Sequence, residues 1–372
     1  MREYKTVGPN LKTYYYYTNA MADSKNAKGV IVIAPGIEGT GALYDDIGDY
    51  LESKGYALYT LDEWGYGKTG KVHKQIYKNW KRKDFHFTAY NVHALSVLAK
   101  RQHPDVPLYL IGNDFGAMLS LYLIREFPDV VDKVVTIGWG APRAIDYWFY
   151  FTSLLRKIFL FDDAQSKAAH RGKNRLLGMR FERGEKYAWL SSDEDQVQKI
   201  RKAGFIDDAG TVGHYYHYFE RKLRVPMLMR MKKTDKTTPL MFISGREDLT
   251  TDGGLSVKVL EKFYKLKGFT NVNSLVVDGR HELLFEKNRF ENVDLILNWL
   301  SGESINITKE DNKNVEEAIT EIRVVGQPEQ GEVAESNLEN TVVDVEVYEE
   351  TTNYSFQEAE DELLIKTNKE HE

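Results

Sequence analysis

Three residues carry the chemistry this chain is equipped for: Asp114, Asp248 and His281. Asp114 lies in Leu110-Ile111-Gly112-Asn113-Asp114-Phe115-Gly116-Ala117, where an apolar run stops at one glycine and a helical pattern starts around the next. Two glycines flanking a central residue at this spacing form a sharp strand-to-helix turn, because neither position leaves room for a Cβ beside a strained neighbour. The central side chain then stands clear of the strand end. Asp248 follows Ile243-Ser244-Gly245-Arg246-Glu247, and His281 follows Val277-Asp278-Gly279-Arg280, so each lies on a loop just past a later apolar run. Of the nine histidines, only His281 has such a place. A carboxylate, an imidazole and a second carboxylate in these positions make an acid–base relay, with Asp248 orienting the ring and Asp114 facing the reacting atom. Glu247 and Asp252 are the bland alternatives to Asp248, as solvated loop acids. Ser120 lies too far down the helical pattern to act as a nucleophile.

A carboxylate at the turn narrows the reaction. If it attacks an ester carbonyl, the best leaving group of the adduct is the carboxylate itself, and the adduct collapses back. A carboxylate can instead displace at saturated carbon, giving an alkyl ester that water activated by His281 then hydrolyses. Two backbone N–H groups would hold the oxyanion, one from Phe115 and one from Ile37 in the glycine-rich stretch Pro35-Gly36-Ile37-Glu38-Gly39-Thr40-Gly41.

The elements that must position these groups follow from patterning. Strands are expected at 14–18, 29–34, 56–61, 133–139, 239–244 and 274–278, with one more feeding the turn at Asp114. Helices are expected at 42–53, 87–102, 255–266 and 289–300, with another running from the turn to about 127. This alternation predicts a parallel sheet with helices on both faces and sites at the carboxyl ends of its strands. Between about 142 and 236 the alternation breaks, as for a cap inserted between two strands. The cap opens with 147–161, which is apolar nearly all round and reads either as a buried helix or as a lid whose apolar face meets lipid, with Arg156 and Lys157 at headgroup level. The expected segments are a first core part at 1–141, a helical cap at 142–236, a second core part at 237–301 and an acidic, solvated tail at 302–372.

These motifs resemble the monoacylglycerol lipase/lysophospholipase branch of the α/β-hydrolases, also labelled serine aminopeptidase-like. That branch has Asp-His-Arg-Gly-His-Gly-x-Ser where this chain has Asp62-Glu63-Trp64-Gly65-Tyr66-Gly67-Lys68-Thr69. Its cap phrase Trp-Leu-Ser-x-Asp matches Trp189-Leu190-Ser191-Ser192-Asp193, and its Arg-His-Glu matches Arg280-His281-Glu282. The early turn keeps a glycine and Tyr44 but lacks the first histidine. The likeness spans about 25–301 and departs at the elbow, where Gly-His-Ser-Met-Gly becomes Gly112-Asn113-Asp114-Phe115-Gly116. It implies an α/β-hydrolase fold and a lipid-like substrate, with an unusual Asp-His-Asp site. Epoxide hydrolases resemble it in a second way, through a Gly-x-Asp-Phe/Trp-Gly elbow and cap tyrosines that protonate the leaving oxygen; Tyr147, Tyr150, Tyr187, Tyr215, Tyr216 and Tyr218 are candidates here. A third reading is a non-catalytic scaffold that binds lipid or a partner, though such a scaffold has no reason to keep Asp248 and His281.

Composition excludes several classes. There is no cysteine, hence no disulfide, thiol chemistry or cysteine-held metal, and no cofactor or metal is expected. The first residues lack the apolar core of a signal peptide, and no apolar run reaches about 18 residues, so the expectation is a cytoplasmic protein, peripheral at the inner membrane face. The net charge of −6 divides unevenly: residues 302–372 carry about −15 and residues 1–301 roughly +9, concentrated in the cap. A basic cap favours an anionic membrane or lipid, and no motif supports nucleic acid. Oligomeric state is not legible.

Overall fold

The computed structural model describes residues 1–8, 12–36, 39–74, 81–181, 186–203, 207, 209–225 and 234–303. The expected acidic tail from 304 onward lies outside these residues.

Eight strands form one sheet: β1 (Arg2–Val7), β2 (Thr13–Thr18), β3 (Gly29–Ala34), β4 (Tyr56–Leu61), β5 (Leu108–Asn113), β6 (Lys133–Ile137), β7 (Leu240–Gly245) and β8 (Val272–Val277). Their order is β1-β2-β4-β3-β5-β6-β7-β8. β1 and β2 are antiparallel, β2 joins β4 antiparallel, and every later pairing is parallel. Every residue of β3, β4, β5 and β7 is buried. Such uninterrupted apolar strands suit a parallel sheet covered on both faces.

Alternation along the strands assigns those faces. Val30 and Val32 of β3 pack with Phe85, Val92 and Leu95 of α3 (Arg82–Gln102), whereas Ile31 and Ile33 pack with Ile47 and Leu51 of α1 (Asp45–Ser53). A short helix, α2 (Gly67–Val72), lies between α1 and α3. α4 (Phe115–Glu126) follows β5 on the α3 face.

Between β6 and β7 come four helices: α5 (Ala144–Phe159), α6 (Lys167–Leu177), α7 (Glu194–Lys202) and α8 (Val212–Arg224). α5 packs on α8, with the rings of Phe149 and Phe219 stacked 5.1 Å apart. The chain then completes the two faces with α9 (Leu255–Leu266) and α10 (Arg289–Ser301).

The buried-helix reading of the apolar cap segment is overturned. On α5 only Asp146 and Ser153 are buried, while Trp148 is 64% exposed, Phe151 57% and Phe159 80%. β1 was not expected from sequence, and α3 begins at Arg82 rather than near 87. The Lys81 N–H donates to Asp84 at 2.8 Å and fixes that earlier start.

Candidate active site

Asp114 joins β5 to α4 with φ +44° and ψ −108°, a positive φ in a residue that has a Cβ. Strain of this kind costs roughly 1–3 kcal/mol and persists only where neighbours enforce it. Here the Asp114 N–H donates to Ile137 O at 2.9 Å, and its carbonyl accepts the Ala117 N–H at 3.0 Å. A Cβ on Gly116 would collide with Ala34 O, and one on Gly112 with Gly116 O and Ser120 Oγ. Ser120 Oγ donates to Gly116 O at 2.8 Å, beneath the turn and away from the reacting side.

The three acid–base residues come together. His281 Nε2 lies 3.6 Å from Asp114 Oδ1, and His281 Nδ1 lies 3.1 Å from Asp248 Oδ2. Thr250, unnoticed in the sequence, ties the inner pair: its Oγ1 is 2.9 Å from Asp248 Oδ2 and 3.0 Å from His281 Nδ1. The ring is held from the cap side as well. Trp189 lies 5.4 Å from it, centroid to centroid, and the backbone N–H groups of His281 and Glu282 donate to Trp189 O and Leu190 O.

Burial disfavours charge on the imidazole, yet attraction to Asp248 and the closeness of Asp114 outweigh it and hold the His281 pKa well above that of an ordinary histidine. Burial likewise opposes ionisation of Asp114 and Asp248, but His281 reverses the balance and both carboxyl pKa values are lowered. The resting state is therefore an imidazolium between two carboxylates. Such a ring is a ready acid and a poor base.

Glu63 behaves in the opposite way. It is fully buried, neither carboxyl oxygen has a hydrogen-bond partner among the described residues, and burial followed by the Asp114 charge pushes its pKa well up. It is held as a neutral acid. On the same side of the elbow, Asn113 donates to Glu282 and also, at 3.3 Å, to Tyr44 OH.

Above Asp114 lies a cavity of about 30 Å³, partly open to solvent and lined in part by the cap helices. Asp114, His281 and Thr250 form its floor, and Lys173, Tyr218 and Lys222 belong to its walls.

The profile of the serine aminopeptidase S33 hydrolases matches residues 25–288. The chain belongs to that family. A monoglyceride lipase homologue of monkeypox virus is similar to this S33 chain, 22% identical over 129 residues, or 35% of this chain and 45% of the relative. The matched stretch thus spans less than half of that relative's length. Among solved structures, a thermostable carboxyl esterase from Bacillus coagulans superposes with a TM-score of 0.70 at 17% identity, covering 81% of this chain and 98% of its own. A soluble variant of monoglyceride lipase from Saccharomyces cerevisiae gives 0.53 at 13% identity, with 79% and 93% covered. At these identities the likeness establishes an α/β-hydrolase fold.

Within this S33 chain, Asp114, Asp248 and His281 meet at the carboxyl ends of β5, β7 and β8. Phe115 opens α4 directly after Asp114. Ile37 lies outside the described residues. Of the six cap tyrosines only Tyr218 lines the cavity; burial, then the Asp114 and Asp146 charges, raise its pKa well above the usual phenol range. Tyr147 is half exposed on α5. Sequence reasoning missed Lys173, Lys222 and Glu63. Glu63 carried a signal, because it stands where the matching motif has histidine.

Proposed function

We propose that this chain hydrolyses a lipid-like substrate at Asp114, with His281 as proton carrier and Asp248 orienting its ring. The observation that carries the reading is the line of Asp114, His281 and Asp248, with gaps of 3.6 and 3.1 Å, at a cavity lined in part by the cap. For an ester substrate, Asp114 acts by positioning a water rather than by attack, since its own carbonyl adduct collapses back.

Formation of an alkyl ester on Asp114 is the second reading, and the charge state favours it. Asp114 attacks the saturated carbon of an epoxide, the carbon–oxygen bond breaks, and His281 passes its Nε2 proton to the released oxygen. Esterification removes one of the two carboxylates that keep the ring protonated, so the neutral imidazole persists. It then takes a proton from the water that attacks the Asp114 carbonyl, and the oxyanion collapses to expel the diol, which recovers that proton. The carboxylate and, with proton exchange, the imidazolium return.

The cap supplies the approach to lipid. Trp148, Phe151, Leu155, Ile158 and Phe159 project from one side of α5 into solvent, whereas Lys157 lies on the other side, paired with Asp162 over the Tyr216 ring. An exposed apolar stripe of this kind suits the surface of a bilayer. No helix among the described residues is long and apolar enough to cross one.

Intact-mass analysis after incubation with a long-chain epoxide or a monoacylglycerol tests the proposal. A mass increase mapped to Asp114 supports the alkyl ester; monoacylglycerol turnover without added mass supports the positioned water. If neither substrate is consumed nor attached, the chain is a binding scaffold and the hydrolytic proposal is withdrawn.

A further inference from the structure

The cations around the cavity are not equally matched. Lys222 is 5% exposed and lies 3.1 Å from Asp146, which also accepts from Arg143. Arg143 further donates to Leu249 O. Lys173, one turn before the end of α6, lines the same cavity and has no carboxylate within 4.0 Å among the described residues. Its ammonium instead lies 5.7 Å from the Trp189 ring centroid and 5.5 Å from that of Tyr218. Two aromatic faces hold a cation in place without taking the place of an ion pair. Four cations, counting protonated His281, and two carboxylates line the cavity; Asp248 lies at the Nδ1 edge of the imidazole and Glu282 at 4.0 Å from Nε2, neither of them among the lining residues. Asp114 is already engaged by His281, so among the described residues Lys173 is the lining cation without a carboxylate in contact, its charge acting on Asp114 only from farther off.

We propose that Lys173 receives an anionic oxygen group, a carboxylate or phosphate monoester, borne on the alkyl chain of the ligand that enters the Asp114 cavity. This rests on the reading of that cavity as the substrate site. The chemistry of the wall supports it: Leu176, Leu177 and Phe149 line the apolar remainder, so the ligand that fits is an amphiphile with its charge at Lys173. A flexible ammonium suits either head, since it needs no fixed fork geometry.

Calorimetric titration of the full chain with octanoate, octyl phosphate, octanol and inorganic phosphate tests this. The expected result is that octanoate and octyl phosphate bind about tenfold more tightly than octanol, a difference of about 1.4 kcal/mol. Lys173→Met should abolish that preference without changing octanol affinity, and Lys173→Arg should keep it. Inorganic phosphate binding as tightly as octyl phosphate would make this a free-anion site and overturn the amphiphile proposal. Equal binding of octanol and octanoate by the parent chain, or an unchanged preference in Lys173→Met, overturns the role of Lys173 while leaving the cavity reading intact. If no chain-bearing ligand binds, the cavity reading falls with it.

Discussion

The carbonyl of Trp189 accepts the backbone N–H of His281, and the two rings lie 5.4 Å apart. The cap phrase containing Trp189 is therefore part of the support for the imidazole. Ser191 Oγ donates to Phe285 O, Arg280 reaches the carbonyls of Ala188 and Ser191, and Ser192 donates to Glu286. Trp189→Ala removes a side chain in a residue only 7% exposed and should lower stability by about 3 kcal/mol, read from urea denaturation. A loss below about 1 kcal/mol would mean that the cap segment does not brace the ring.

Asp114→Ser places a hydroxyl beside a histidine that has lost one of its two carboxylates, so the ring becomes a better base. Hydrolysis of a short acyl ester such as p-nitrophenyl butyrate should rise about tenfold or more in kcat/KM. An inert variant with an unchanged fold would favour the scaffold.

The same loss of charge can be followed directly. Asp114→Asn should lower the pKa of His281, seen in the pH titration of its ring proton resonance. A raised histidine pKa contributes fully to stability below its unfolded value, about 6.5, and that contribution is lost as pH climbs through the folded value. In the asparagine variant this alkaline loss should therefore be smaller and be complete at lower pH.

Glu63 gives a second pH signature. Its raised folded pKa makes the folded chain hold a proton that the unfolded chain releases, so stability falls as pH rises above about 4.5, by up to about 1.4 kcal/mol per pH unit. Glu63→Met keeps the volume and removes the proton. Its advantage over the parent in urea midpoint should widen from pH 5 to pH 8. A constant difference would show that Glu63 is not held neutral.

The exposed stripe on α5 predicts a membrane effect separable from folding. Replacing Trp148 and Phe151 together by Glu should reduce partitioning onto phosphatidylglycerol vesicles tenfold or more, with the thermal midpoint unchanged. Retained binding would point to another face.

Strands β3, β4, β5 and β7 were legible because burial on both sides demands unbroken apolar runs, and Asp114, Asp248 and His281 were legible because each follows such a run. β1 was not: its Arg2-Glu3-Tyr4-Lys5 alternation belongs to an edge strand and looks like ordinary surface. The burial of α5 stayed open between two readings because a helix apolar all round gives no sign of which side faces water. Lys173 was unreadable for another reason. A lysine gains meaning only when the packing of α6 denies it a carboxylate, and that depends on contacts far apart in sequence.

The elbow has one more implication. Its shape is set by Gly112, Gly116 and the backbone of Ala34, where an added Cβ would collide with backbone rather than with the side chain at position 114. The turn works as a socket, indifferent to whether an acid, an alcohol or an amide is plugged into it. Descendants of this chain can therefore exchange one reactivity for another by a single replacement while the surrounding architecture stays unaltered.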